Sequence, residues 1–142
     1  MPQHTHTGVY SLSIQDNKIL LIKKTRGPYT GQWDLPGGRL EFGEKPLDGL
    51  TREIMEETGL IIEKSELLDV LSHTVFYKTE TGEEREMHHI GIIYKTILDS
   101  TKNLKTNPDG HESAGACWLE LSELTESEVS PFVNQSLKLN LK

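Results

Sequence analysis

Cysteine is almost missing from this chain of 142 residues: Cys117 stands alone, so no disulfide can close within it, and a reducing cytoplasm is the expected compartment. Set in apolar sequence beside Trp118, that thiol is expected in the core rather than acting as a nucleophile. Long apolar runs are missing too. No stretch approaches the ~18 residues needed to span a bilayer, and no leader of charged, apolar and small residues opens the sequence. Positive charge is in short supply: 15 Lys and Arg against 22 Asp and Glu give a formal net charge of −7, which argues against broad nucleic-acid binding. Repeats, low-complexity tracts and an interdomain linker are absent as well. Residues 1–142 are therefore expected to form one domain, long enough to bury a sizeable core at 35% hydrophobic content. Residues 1–7 read as a short, polar, flexible lead, with His4 and His6 in solvent.

What is present in strength is acid at helical spacing. Glu53, Glu56 and Glu57 lie three and four residues apart. At ~100° per residue they share one helix face within a rise of about 6 Å. Clustered glutamates are usually a solvated face, but three such charges in a cleft repel, and a divalent cation is the natural compensator. Oxygen-only ligands favour Mg²⁺, Mn²⁺ or Ca²⁺ over zinc. The setting of the cluster is equally defined. Pro36, Gly37 and Gly38 break a short strand over residues 32–35 into a tight loop, Pro46 occupies a first-turn position, and Gly59 marks a left-handed stop. The spacing predicts a helix over residues 45–58, with Leu47, Leu50, Ile54 and Thr51 turned inward.

From Gly38 to Leu60 the chain fits G-x5-E-x7-R-E-U-x-E-E-x-G-U, with U aliphatic, at Gly38, Glu44, Arg52, Glu53, Ile54, Glu56, Glu57, Gly59 and Leu60. Nine defined positions within 23 residues make a specific pattern, and the segment resembles the Nudix box of the MutT-like Nudix hydrolase family. The resemblance implies an α/β (α+β) fold with a mixed sheet sandwiched between helices. It also implies cleavage of a diphosphate linkage in a nucleoside triphosphate or nucleoside diphosphate-X, by water attack on phosphorus with Mg²⁺ or Mn²⁺. On this reading Glu56 and Glu57 are the principal metal ligands, Glu53 is a further ligand or the base that activates water, and Gly38 offers its carbonyl oxygen. Arg52 diverges from its neighbour Glu53 on the helix, so it is expected to clamp Glu44 or Glu56 instead. A distal acid is expected near Trp118, with Glu112 the choice, Glu83, Glu84 and Glu86 a competing acidic hairpin, and His111 an alternative base.

Lys23, Lys24, Arg26 and Arg39 flank the box and are candidates to meet substrate phosphates, with ordinary surface lysine and arginine as the alternative. Tyr77 lies where dinucleoside polyphosphate hydrolases carry a tyrosine. The proline that ADP-ribose hydrolases of the family carry in this window is absent, and Val75 and Phe76 stand there. Trp33, Tyr29, Phe76 and Tyr77 are candidates to stack on a base, with core packing as the alternative. Strands are expected over residues 9–14 and 18–23 around an Asp16, Asn17 turn, then over 67–77, 88–98 and 116–121, with a final helix over 131–139 capped by Ser130. Two other readings stay open: a nucleotide-binding module without turnover, and an RNA 5′-pyrophosphohydrolase, against which the acidic balance counts. The implied partner is a small nucleotide, with no membrane, and the resemblance admits a homodimer.

Overall fold

The computed structural model describes residues 1–99, 104–105 and 113–141. The first strand, β1 (Gln3–Leu12), runs parallel to a later one, β7 (Glu84–Leu98), in a register that sets Gln3 against Glu86 and Leu12 against Lys95. The short polar lead is therefore strand from Gln3 onward, not a flexible tail. Its polar residues take their backbone partners from β7, so they need no hydrophobic run of their own to be held. On its other side β1 pairs antiparallel with β5 (Gly37–Arg39), and β7 pairs antiparallel with β6 (Ile62–Lys78), giving the order β5-β1-β7-β6.

A second sheet is centred on β3 (Lys18–Lys24), which pairs with β2 (Ile14–Gln15), β4 (Trp33–Asp34) and β8 (Ser113–Glu120), all antiparallel. The Asp16, Asn17 hairpin turn forms as expected, with positive φ at both residues (53° and 62°), which short polar side chains tolerate in a two-residue turn.

Two helices cover the strands, α1 (Pro46–Thr58) and α2 (Pro131–Asn140). Alternation along the strands builds a core under each. Leu20 and Ile22 join Val9, Leu50 and Ile54 below α1, whereas Ile19 and Leu21 join Tyr10, Ile93, Phe132 and Val133 below α2. The result is the expected mixed α+β arrangement. No helix among the described residues is long and apolar enough to cross a membrane.

The inward stripe of α1 is narrower than the periodicity predicts. Leu50 and Ile54 are buried with Gly49 and Thr58, while Leu47 and Thr51 are exposed. Ser130 precedes α2 as expected but does not cap it with its side chain; its hydroxyl donates to Asp34 Oδ1 at 2.6 Å, tying helix to strand. Cys117 is half-buried rather than a core residue. Strands β6 and β7 begin several residues before the expected points because the opening of β6 is charged and exposed and that of β7, Glu84 to Glu86, is a charged run, leaving no alternation to read.

Candidate active site

Helix α1 is aimed by its two ends. Pro46 sits at the first turn, and Gly59 adopts φ 75°, its N–H returning to the Met55 carbonyl at 3.0 Å, the left-handed stop that costs glycine least. Facing the helix, β5 lies so close to β1 that a Cβ on Gly37 would fall 2.0 Å from the Val9 carbonyl oxygen. Gly37 is also at φ 139°, so only glycine fits there.

That close approach puts backbone beside carboxylate. The Gly37 N–H donates to Glu57 Oε1 at 2.7 Å, and a Cβ on Gly38 would stand 3.0 Å from the Glu53 carboxyl group. Arg52 binds Glu44 through two parallel bonds, Nε to Oε2 at 2.8 Å and Nη2 to Oε1 at 3.0 Å. The clamp with Glu44 is therefore as expected, but Arg52 also reaches its neighbour: Nη1 donates to Glu53 Oε1 at 2.9 Å and, more loosely, to Glu56 Oε2 at 3.4 Å. Adjacent Cα–Cβ bonds do diverge; the long guanidinium stem curls back over the gap that they leave. Arg52 hydrogen bonds and the Glu41 N–H hold the Glu44 carboxyl down at about 2.

The two inner carboxylates are driven the other way. Burial, followed by the repulsion of Glu53, pushes Glu57 up to about 8, against the pull of the Gly37 amide and Lys24. Burial likewise raises Glu53, opposed by Arg52. Carboxyl groups kept short of compensating charge, an exposed Glu56 one turn along the helix, and a backbone carbonyl on Gly38 make an oxygen-only donor set that fits a hard divalent cation. Among the described residues, no three acidic, imidazole or thiol groups converge on one point as they stand. Glu53 and Glu56 are turned to Arg52 and Glu57 to Gly37, so their rotamers must swing to share an ion.

Glu53, Glu57 and Gly38 line one end of a cavity of about 480 Å³. Lys24, Arg26 and Arg39 line the same cavity, as the flanking basic residues suggest. Lys23 does not: its ammonium lies 5.1 Å from the centre of the Trp33 ring. Tyr77 reaches the cavity and meets His4 edge to face at 6.2 Å between ring centres. Tyr29 lines it too, whereas Phe76 is 66% exposed and Trp33 packs against the core, so neither can stack on a ligand there. Glu112 and His111 lie outside the described residues. Glu84 and Glu86 lie on β7 and do not line this cavity.

Several cavity residues escape a sequence reading. His4, His6, Tyr10, Asp34, Met87 and His89 all face it. A signal existed in the alternation of His4, His6, Gly8 and Tyr10, which is strand periodicity once the segment is not taken as a tail. Asp34 is buried at the strand end with its carboxyl raised by that burial, bonded by Ser130 and the Leu35 N–H.

Known proteins match this chain along nearly its whole length. A family model described as the NUDIX domain matches residues 2–139. An ADP-ribose pyrophosphatase of Methanocaldococcus jannaschii is 46% identical over 111 residues, covering 78% of this chain and 60% of that protein. Two further curated relatives are spanned over only 37% and 27% of their lengths. The nucleoside triphosphatase NudI of Escherichia coli is 29% identical over 94% of each chain. Among solved structures, a MutT NUDIX hydrolase from Burkholderia pseudomallei superposes with a TM-score of 0.75 at 27% identity, over 96% of this chain and 98% of that one. The Gly38 to Leu60 motif, the helix-covered mixed sheets and these matches agree: the chain belongs to the Nudix family.

Proposed function

We propose that the chain is a Mg²⁺- or Mn²⁺-dependent pyrophosphohydrolase that cleaves the diphosphate linkage of a nucleoside diphosphate derivative or nucleoside triphosphate. The observation that carries this reading is the shared cavity: the acidic face of α1 opens into the same space as Lys24, Arg26 and Arg39, and that space continues to His4, Tyr77 and Met87. An anion with a bulky organic group at one end fits such a lining.

Glu53, Glu56 and Glu57, with the Gly38 carbonyl, would hold the cation, and Glu112 remains the proposed distal acid. A bound divalent cation supplies charge neutralisation at the phosphoryl oxygens and a more acidic water. The chain's own groups do the rest. Lys24, whose charge acts on both Glu53 and Glu57, and the two arginines draw in the polyanion. Arg52 fixes the orientation of the helix acids through Glu44. Glu53 is the candidate base, since burial raises its affinity for a proton.

Relatives named for ADP-ribose and for nucleoside triphosphates support including both substrate classes. The missing proline near Val75 counted against ADP-ribose, yet the relative at 46% identity bears that name, so both classes belong in the test. Phosphate or nucleotide release would be followed from ADP-ribose, nucleoside triphosphates, sugar nucleotides, dinucleoside polyphosphates and triphosphorylated RNA, each with Mg²⁺ and with Mn²⁺. The reading expects turnover of a small nucleotide, lowered by about a thousandfold or more in Glu57→Gln with folding retained. Nucleotide affinity without any turnover would instead establish a binding module.

A further inference from the structure

Beneath the cavity, three histidines stand in register on neighbouring strands: His6 opposite His89 on β1 and β7, and His73 opposite His89 on β6. Tyr29 descends on them from the loop between β3 and β4, and Tyr10 approaches from β1. The contacts form one line. Tyr10 Oη meets His89 Nε2 at 2.7 Å, His89 Nδ1 meets Tyr29 Oη at 2.6 Å, and the same oxygen meets His73 Nε2 at 2.6 Å. At the far end His73 Nδ1 is buried with no hydrogen-bond partner. Tyr10, Tyr29 and His89 are each no more than 5% exposed, so the links between them are shielded from bulk water.

The protons on such a line can be counted. Burial drives His89 down to about 3, with His6 and His73 adding to the effect, and lowers His73, while both phenols are raised by burial. Each imidazole therefore carries one hydrogen and each phenol keeps its own. Three links need one hydrogen apiece. If the hydrogen of His89 is on Nε2, it fills the Tyr10 link, so Tyr29 must donate to His89 Nδ1 and His73 must donate from Nε2. If it is on Nδ1, every donor reverses: Tyr10 gives to His89, His89 to Tyr29, and Tyr29 to His73. A mixed arrangement, with Tyr29 accepting from both His89 Nδ1 and His73 Nε2, also fills the three links but leaves the buried Tyr29 O–H with no acceptor among them.

The other two arrangements differ at the ends. In the first, the Tyr10 O–H is free to point into the cavity and His73 Nδ1 is a bare acceptor. In the second, the Tyr10 O–H is consumed and His73 Nδ1–H is a buried donor with nothing to receive it. Buried orphan N–H groups are rarer than under-satisfied acceptors. The acidic groups that act on Tyr10, Asp34 foremost, also favour a hydrogen turned away from His89. Both ends select the first arrangement.

We infer that Tyr10, His89, Tyr29 and His73 form a single all-or-none hydrogen-bond chain that latches the loop carrying Arg26 onto the sheet and fixes Tyr10 as a hydrogen-bond donor to the substrate. Tyr29 and His89 are thus positioning residues, and Tyr10 is a specificity-determining one that favours an acceptor, a phosphoryl or sugar oxygen, at its end of the cavity. Two further ties of the loop, Arg26 to Glu80 at 3.2 Å and Gln32 Nε2 to the Ser127 carbonyl at 3.4 Å, are exposed and hold it weakly by comparison. The functional half of this inference rests on the cavity being the hydrolytic site; the chain itself does not.

Nitrogen-15 NMR of the imidazoles tests it directly in the free protein. The wild type should show His89 and His73 as Nε2–H tautomers. Tyr29→Phe keeps the ring, which stacks 5.5 Å from His89, and deletes only the hydroxyl shared by two links. Both tautomers should become mixed in that variant. KM should rise about tenfold for whichever of ADP-ribose and GTP the wild type cleaves, with kcat within about twofold, the scale of one or two lost hydrogen bonds. An Nδ1–H His89 in the wild type, or a Tyr29→Phe protein with tautomers and KM unchanged, would overturn the chain. Because the tautomers are read without turnover, an inactive wild type with the expected pattern would sink the hydrolase reading and leave the chain standing.

Discussion

Arg52 illustrates how one side chain can set the geometry of several. It touches Glu44, Glu53 and Glu56 with a planar fork that a lysine ammonium cannot reproduce. Arg52→Lys should therefore lower kcat more than about tenfold while retaining the charge count, and unchanged kcat would remove the bracing role. His89 gives a second test at this scale. Its folded pKa lies below the unfolded value, so it contributes stability that is present above about pH 6.5 and is lost as pH falls toward about 3. The raised Glu57 has the opposite slope between about 4.5 and 8, so wild type and His89→Gln must be compared in the same buffers. From pH 6.5 to pH 5 the wild type should lose roughly 1–2 kcal/mol relative to the variant by denaturant titration; parallel curves would contradict the shift. The glutamates were legible because their relation is local, three and four residues along a helix. Tyr10, Tyr29 and His89 were not, since their contacts bridge 79 and 60 residues and depend on which strands are neighbours.

At the scale of elements, α1 was the most readable piece because both ends carry their own chemistry. Its start and stop fall at Pro46 and Gly59, one residue from the expected start and at the expected end. Gly59→Ala forces a Cβ into the left-handed region and should cost about 1 kcal/mol, read as a lower Tm; no change would mean that the helix end is held by packing alone. Strands were harder. The opening of β6 is charged and exposed, and β1 begins with alternating polar residues, so neither offers the apolar rhythm by which strands are found. Leu47 misled for a related reason: it has the helical spacing of a core residue but is 39% exposed.

For the molecule as a whole, a net charge of −7 coexists with a cavity bordered by Lys24, Arg26 and Arg39. Cation binding and folding should then be coupled, since ions that bind only the folded state stabilise it by RT ln(1 + [L]/Kd). At about one hundred times Kd, Mg²⁺ should add ~2.7 kcal/mol to wild-type stability in thermal denaturation and little to Glu57→Gln. Equal shifts in both proteins would place the ion elsewhere. That α1 carries the acids of the proposed site was readable from the motif; that the cavity beside them is also lined from β1 and β7 was not.

The parallel pairing of β1 with β7 also fixes an order of events. Gln3 meets Glu86, so during synthesis β1 has no neighbour on that side until β7 has followed it. Its other partner, β5, covers only Gly8 to Tyr10. Until then, β1 has few of its native hydrogen bonds. Long-range pairing of this kind raises contact order and slows folding, and it exposes strand edges while the partner is awaited. The strand that forms the floor of the cavity is thus among the last to be secured, and a chain stalled before β7 would present Val9 and Tyr10 to whatever chaperone or neighbouring chain is at hand.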